Sequence, residues 1–202
     1  MRGAETRRQI VETAARLVYE RGYAATGLSQ ILAESGTGSS SLYHFFRSKE
    51  ELMLAVLDRY LERLDEEIVG PSQAATEDPI ERVLQILAFY RGLLVATDCR
   101  LGCPIGNLAG EVSDTHPRIR EKLAELFAAW RSAVERCLRE AAPRLGDEAD
   151  PEELAVFVLT VMEGGVMQAR VERTLRPFEI SVARLRDYFD RLATSNPSRG
   201  ER

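Results

Sequence analysis

One short stretch constrains this chain more than any other. Residues 36–46 read Gly-Thr-Gly-Ser-Ser-Ser-Leu-Tyr-His-Phe-Phe. Wound at helical pitch from 39 to 46, Leu42, Phe45 and Phe46 share one side, and Ser40, Tyr43 and His44 share the other. Such a helix is seated by one face and offers short polar groups on its second. Upstream, Ile31 and Leu32 end a short segment that begins at Thr26, and Gly36 can reverse the chain because it accepts positive φ. Two short helices joined by a glycine-containing turn are the helix-turn-helix signature, whose second helix enters the DNA major groove. An ordinary amphipathic helix in an all-α core carries the same pattern, and the turn alone favours neither.

The flanking periodicity is helical throughout. Ile10, Ala14, Leu17 and Val18 recur at helix spacing and predict a first helix over 5–21, stopped by Gly22. Thr26 is the expected N-cap of the next helix, its hydroxyl accepting from an otherwise unpaired amide. Ser48 and Glu51 form an S-x-x-E capping box, so a new helix is expected from Lys49 to about 68, carrying Leu52, Val56, Leu57, Tyr60, Leu61, Leu64 and Ile68. Residues 70–77 read as a loop. Asp78-Pro79 and Asp150-Pro151 each set an Asp N-cap before a Pro at the first helical position. Helices are expected over 79–97, 104–112, 117–142 (ending at Pro143), 151–173 and 178–193.

No stretch shows sustained strand alternation. The expected architecture is all-α, with about nine helices in two parts. A three-helix head occupies 1–50, a larger helical body occupies 51–195, and the helix from 49 to about 68 links them. The tail, 196–202, is expected to be disordered.

Charge is distributed in keeping with that division. The net charge of −5 argues against a nonspecific nucleic-acid coat, but residues 1–50 hold seven Lys or Arg against five Glu, net +2. The remainder holds twenty against twenty-seven, net −7. A small module that meets phosphate and an acidic body with another task would look like this. The three cysteines lack metal-site spacing, so no metal or cofactor is expected. No run approaches the ~18 apolar residues of a membrane span, and the charged amino terminus lacks a secretory stretch, so cytoplasmic residence is the default expectation.

The amino-terminal segment resembles the TetR/AcrR family of transcriptional regulators. The matching residues are Thr6-Arg7-Arg8-Gln9-Ile10, Arg21-Gly22-Tyr23, Thr26, Ile31, Gly36, Leu42-Tyr43-His44-Phe45-Phe46 and Ser48-Lys49-Glu50-Glu51-Leu52. They span about residues 5–57. The resemblance implies a homodimeric helix-turn-helix protein, usually a repressor, that binds a palindromic operator and releases it when a small molecule enters the carboxy-terminal domain. By position, Tyr43 and Lys49 would contact phosphates and Thr26 would anchor a helix end on the DNA backbone. Thr37, Ser39, Ser40, Ser41 and His44 would face the groove. Two departures stand out: Ser39 lies where the family commonly has Lys, and Gly38 where Ser is common.

Beyond residue 57 the resemblance is weaker. Apolar candidates for lining an inducer pocket are Phe89, Leu93, Phe127, Trp130, Phe157 and Met162, with Asn107 and Gln168 as polar anchors, although each suits a plain core as well. Cys103 lies near a helix start beside Arg100 and Cys99. Its thiol is either a small apolar group or a thiolate that senses electrophiles. Gly164 and Gly165 inside a helix suggest a kink or a close approach. Val182, Leu185, Tyr188, Phe189 and Leu192 form a stripe on the last helix that faces either its own core or, as the family implies, a second copy. Two half-sites about 34 Å apart give dimerisation a physical motive. An enzyme with Cys103 as nucleophile and His116 as base is the competing class. It lacks a recognisable acid partner or oxyanion device, so no catalytic activity is expected.

Overall fold

A computed structural model describes residues 2–146 and 149–195, and these are helical wherever they are regular. The elements are α1 (Arg2–Arg21), α2 (Leu28–Ser35), α3 (Ser39–Phe45), α4 (Lys49–Arg63), a π-helical segment (Leu64–Val69), α5 (Gly70–Ala75), α6 (Pro79–Ala96), α7 (Pro104–Val112), α8 (Pro117–Leu145), α9 (Pro151–Glu172) and α10 (Arg176–Ser195). Because α4, the π-helical segment and α5 follow one another without a break, the described residues make nine helical rods. The expected tail, 196–202, lies outside the described residues.

Both Asp-Pro starts form as the sequence dictates. Asp78 Oδ1 accepts from the amides of Ile80 (2.8 Å) and Glu81 (3.3 Å), and Asp150 Oδ1 accepts from those of Glu152 (2.8 Å) and Glu153 (3.4 Å). The Ser48 hydroxyl accepts from the Glu51 amide at 3.1 Å, while Glu51 reaches back to the amide of Arg47.

Four expectations are corrected. Residues 70–77 are largely helical, because Ile68, Val69 and Ser72 are buried and the wide π turn, in which the Gly70 amide donates to Asp65 O, leaves room for Pro71. Pro143 lies inside α8, whose last turn continues to Leu145. Thr26 caps nothing: the residue before α2 is Gly27, and the buried Thr26 hydroxyl donates to Leu17 O (3.2 Å) and Gly22 O (2.7 Å). Helix α9 is long and apolar enough to cross a membrane by length and composition. Its Leu154, Val158, Met162 and Val166 are buried inside the fold, as in a core helix.

The chain packs as two compact units that cut across the expected 1–50 and 51–195 division. Described residues within Met1–Glu62 and Pro104–Leu126 form one, and those within Arg63–Cys103 and Phe127–Arg202 form the other. The reason is a shared core in the first unit. Ile10, Leu17, Ile31, Leu42, Phe46, Leu52 and Val56 cluster with Leu108, Val112, Ile119, Leu123 and Leu126. The head is therefore completed by a segment far away in sequence.

In the second unit α9 packs on α10 and α6. Phe178, Leu185 and Phe189 of α10 are fully buried. Gly165 makes the approach of α9 to α10 possible, since a Cβ there would meet Phe178 Cα at 3.2 Å. Gly165→Ala is expected to destabilise the fold by about 1–3 kcal/mol, because backbone must move. Gly92→Ala on α6, where a Cβ meets nothing within 4 Å, should stabilise by up to ~1 kcal/mol. Urea midpoints measure both, and equal midpoints for the two variants would contradict the packing described.

Candidate nucleic-acid interface

The α2–α3 turn is built locally. Gly36 closes α2 at φ 65°, the left-handed region where glycine is unstrained, and Gly38 enters α3 from extended backbone. Between them Ser35 Oγ and Thr37 Oγ1 share a hydrogen bond of 2.7 Å that braces the turn from within. Thr37 is thus partly engaged, with its side chain half-buried.

Helix α3 divides as its sequence predicts. Leu42 and Phe46 are buried in the head core, and Phe45 is half-buried with its ring edge-on to His44 at 4.9 Å. On the other side Ser39, Ser40 and His44 are exposed, Ser41 is half-buried, and Tyr43 is 55% exposed. Tyr43 thus presents a largely exposed ring on a seven-residue helix, flanked by hydroxyls and an imidazole. Such groups can donate to phosphate oxygens or reach base edges.

Two of the expected contacts are altered by the surroundings. Thr26 is fully buried with its hydroxyl donating inward, so it offers no side chain to a phosphate. The Lys49 ammonium donates to Tyr23 O and lies 4.1 Å from the centroid of the Tyr23 ring. Burial pushes this lysine below its usual value, offset in part by the Glu111 carboxylate. It organises the head at least as much as it faces outward.

Other cations border α3. Arg47 is exposed one residue beyond Phe46, and the Arg7 guanidinium lies 5.3 Å from the centroid of the Phe46 ring. Arg47 went unassigned in the sequence, although a lone cation directly after an aromatic pair was the available signal.

The candidate pocket residues scatter. Trp130 and Met162 are buried, Phe89, Leu93 and Phe127 are half-buried, and Phe157 and Gln168 are exposed. Phe157 belongs to the outward stripe of α9, edge-on to Tyr188 at 5.6 Å, so it does not line an interior pocket of its own chain. Asn107 lies on α7, in the other compact unit. What gathers around Trp130 is aromatic: Tyr90 at 4.7 Å and Phe127 at 6.3 Å between ring centroids.

Two buried polar atoms of this unit lack a hydrogen-bond partner, Trp130 Nε1 and Glu163 Oε1. Glu163 was missed by sequence reading, yet it is the lone charge between Glu153 and Arg170, in a mostly apolar stretch. Burial pushes its carboxyl above the usual range, and a hydrogen bond with Cys103 offsets part of that. Cys103 itself is buried, and burial together with Asp98 pushes the Cys99 thiol up. Reactive cysteines are partly exposed and have depressed pKa values, and the burial of both thiols opposes that.

On α10, Leu185 and Phe189 fill the chain's own core and are not available to a partner, while Val182 and Leu192 are half-buried and Tyr188 is exposed. The unpartnered apolar face lies instead on α9 and the outer side of α10. It comprises Val156, Phe157, Met167 (64% exposed), Val171 (78%), Ile180 and Tyr188.

Comparison with known proteins agrees with this geometry. Residues 10–56 match the family described as bacterial regulatory proteins, tetR family, and residues 79–184 match the transcriptional regulator LmrA/YxaF-like, C-terminal domain. The chain is 31% identical to the HTH-type transcriptional regulator LmrA of Bacillus subtilis (strain 168), over 86% of this chain and 90% of that protein. It is 27% identical to the HTH-type transcriptional repressor DhaR of Mycobacterium sp. (strain GP1), over 86% of each. A TetR transcriptional regulator from Chloroflexus aurantiacus J-10-FL superposes with a TM-score of 0.80 at 32% identity, covering 97% of this chain and 98% of that one. The helix-turn-helix head, the all-α body and these matches over nearly the whole length agree: the chain belongs to the TetR family of bacterial transcriptional regulators.

Proposed function

We propose that this regulator is a homodimeric repressor that grips a palindromic operator through α3 and lets go when a small molecule binds its second unit. The observation that carries the reading is the exposed Tyr43, set between Ser40 and His44 over a buried Leu42. A ring and hydroxyls held out by a buried anchor suit phosphate and base-edge contact, and Arg7 and Arg47 supply cations beside them. No Arg, Asn or Gln within α3 offers a bidentate base contact, so sequence preference leans on DNA shape and water. Repression is supported by the relative DhaR, a transcriptional repressor.

Dimerisation is supported by the apolar face of α9 and α10. Met167, Val171 and Ile180 are large, exposed and close in sequence, the kind of patch that marks an interaction surface. Helix pairs of two copies, packed face to face, would cover it. Two recognition helices would then reach successive major-groove faces about 34 Å apart.

The inducer reading draws on Trp130 and Glu163. A buried indole N–H and a buried carboxylate oxygen without partners are costly unless something hydrogen-bonds to them. An aromatic or apolar molecule carrying an acceptor would answer the indole, and one carrying a donor would answer the carboxylate. Cys103 takes no electrophile-sensing role in this reading, given its burial.

Against duplex selected by the protein from random-sequence DNA, Tyr43→Ala should weaken binding to every sequence. Arg47→Ala should make the slope of log K against log salt shallower by about one, while Ser40→Ala should change sequence preference. Gel shifts over a salt series measure all three, and unaltered binding in every variant would sink the assignment of α3. Met167→Glu combined with Ile180→Glu should convert dimer to monomer in sedimentation velocity, and an unchanged mass would refute the proposed interface. Because the folded chain holds the Glu163 proton more tightly than the unfolded chain, stability contributed by this group falls as pH rises from the ordinary glutamate value through the raised one. Glu163→Gln should therefore flatten that part of the profile and raise the melting temperature at neutral pH. An unchanged thermal-melt profile would show that the carboxyl is not strained by burial.

A further inference from the structure

Resting on the DNA-binding reading, we infer that Glu111 is a positioning residue for operator binding: from the end of α7 its carboxylate clamps the turn between α1 and α2. Oε2 accepts from the Tyr23 amide at 2.8 Å and Oε1 from the Ala24 amide at 2.7 Å. Two consecutive backbone N–H groups thus converge on one anion, and both of its oxygens are engaged. Charge-assisted bonds of this kind are stronger than neutral ones and fix orientation as well as distance.

The turn is shaped around that anion. Gly22 adopts φ 90°, and a Cβ there would meet Glu111 Oε2 at 3.1 Å and Oε1 at 3.3 Å. From the other side the Lys49 ammonium donates to Tyr23 O, the Thr26 hydroxyl donates to Gly22 O, and the buried Tyr23 ring meets His116 edge-on at 5.0 Å. Residues 22–26 are held from several directions at once. Gly27 follows as the first capping position of α2, and α2 leads through Gly36 into α3. A displaced turn therefore displaces the pair of helices that presents Tyr43.

The same distal segment makes two other polar links to the head, Arg118–Glu50 at 3.1 Å and Lys122–Asp58 at 2.8 Å. Both have exposed partners, and pairs of that kind contribute little. Glu111 differs because it accepts from backbone. It is also the lone charge in α7, where apolar Leu108 and Val112 dock into the head core.

The test compares wild type, Glu111→Ala and Glu111→Gln by amide hydrogen exchange in NMR and by affinity for a duplex that the wild type selects from random-sequence DNA. In Glu111→Ala the Tyr23 and Ala24 amides should exchange faster and affinity should fall roughly tenfold, the scale of one lost charged hydrogen bond. The salt slope should equal that of wild type, because no phosphate contact is removed. Glu111→Gln should fall between, its carbonyl oxygen accepting without the charge. Should Glu111→Ala fail to fold, Glu111→Gln carries both readouts. Faster-exchanging amides with unchanged affinity would overturn the inference, as would a changed salt slope. A wild-type chain that selects no duplex would overturn the DNA-binding reading itself, whatever the amides do.

Discussion

The burial of Leu42 and Phe46 is the interaction on which the rest depends. A helix of seven residues is not stable alone in water, because nucleating its first turn fixes several residues for one hydrogen bond. What holds α3 is the apolar side it presses into a core built from α1, α2, α4 and the segment that follows residue 103. Once that side is fixed, helical periodicity leaves no choice about the other: Ser40, Tyr43 and His44 must point away. Function here is the remainder of packing.

The core that does this is not local. Leu108, Val112, Ile119, Leu123 and Leu126 join Ile10, Leu17 and Ile31, so the compact unit that carries the helix-turn-helix includes residues of α7 and the first part of α8. Helix α8 then runs on, as one element, into residues of the second unit.

Much of this was legible in the chain itself, for reasons that differ by element. The Asp-Pro starts, the Ser48–Glu51 cap and the two faces of α3 follow from short-range rules that act within one or two turns, and they stand as read. Failures came where a residue's type does not reveal what it packs against or bonds to. Thr26 reads as a cap because its type favours caps, but Leu17 O and Gly22 O claim its hydroxyl. Leu185 and Phe189 read equally as core or as an interface with a second copy, because periodicity identifies a buried side without naming what covers it. Residues 70–77 carry loop composition, yet Ile68, Val69 and Ser72 are buried and the helix continues. Glu163 and Glu111 share one overlooked signature, a lone acid within an apolar stretch of helix, which a reading by motif passes over.

Side-chain NMR of the head during titration with operator duplex tests the central claim most directly. Ring resonances of Tyr43 and His44 should shift and saturate at one protomer per half-site, while methyl resonances of Leu42 and Ile31 keep their positions. Saturable binding of DNA that leaves the Tyr43 and His44 rings unperturbed would contradict it.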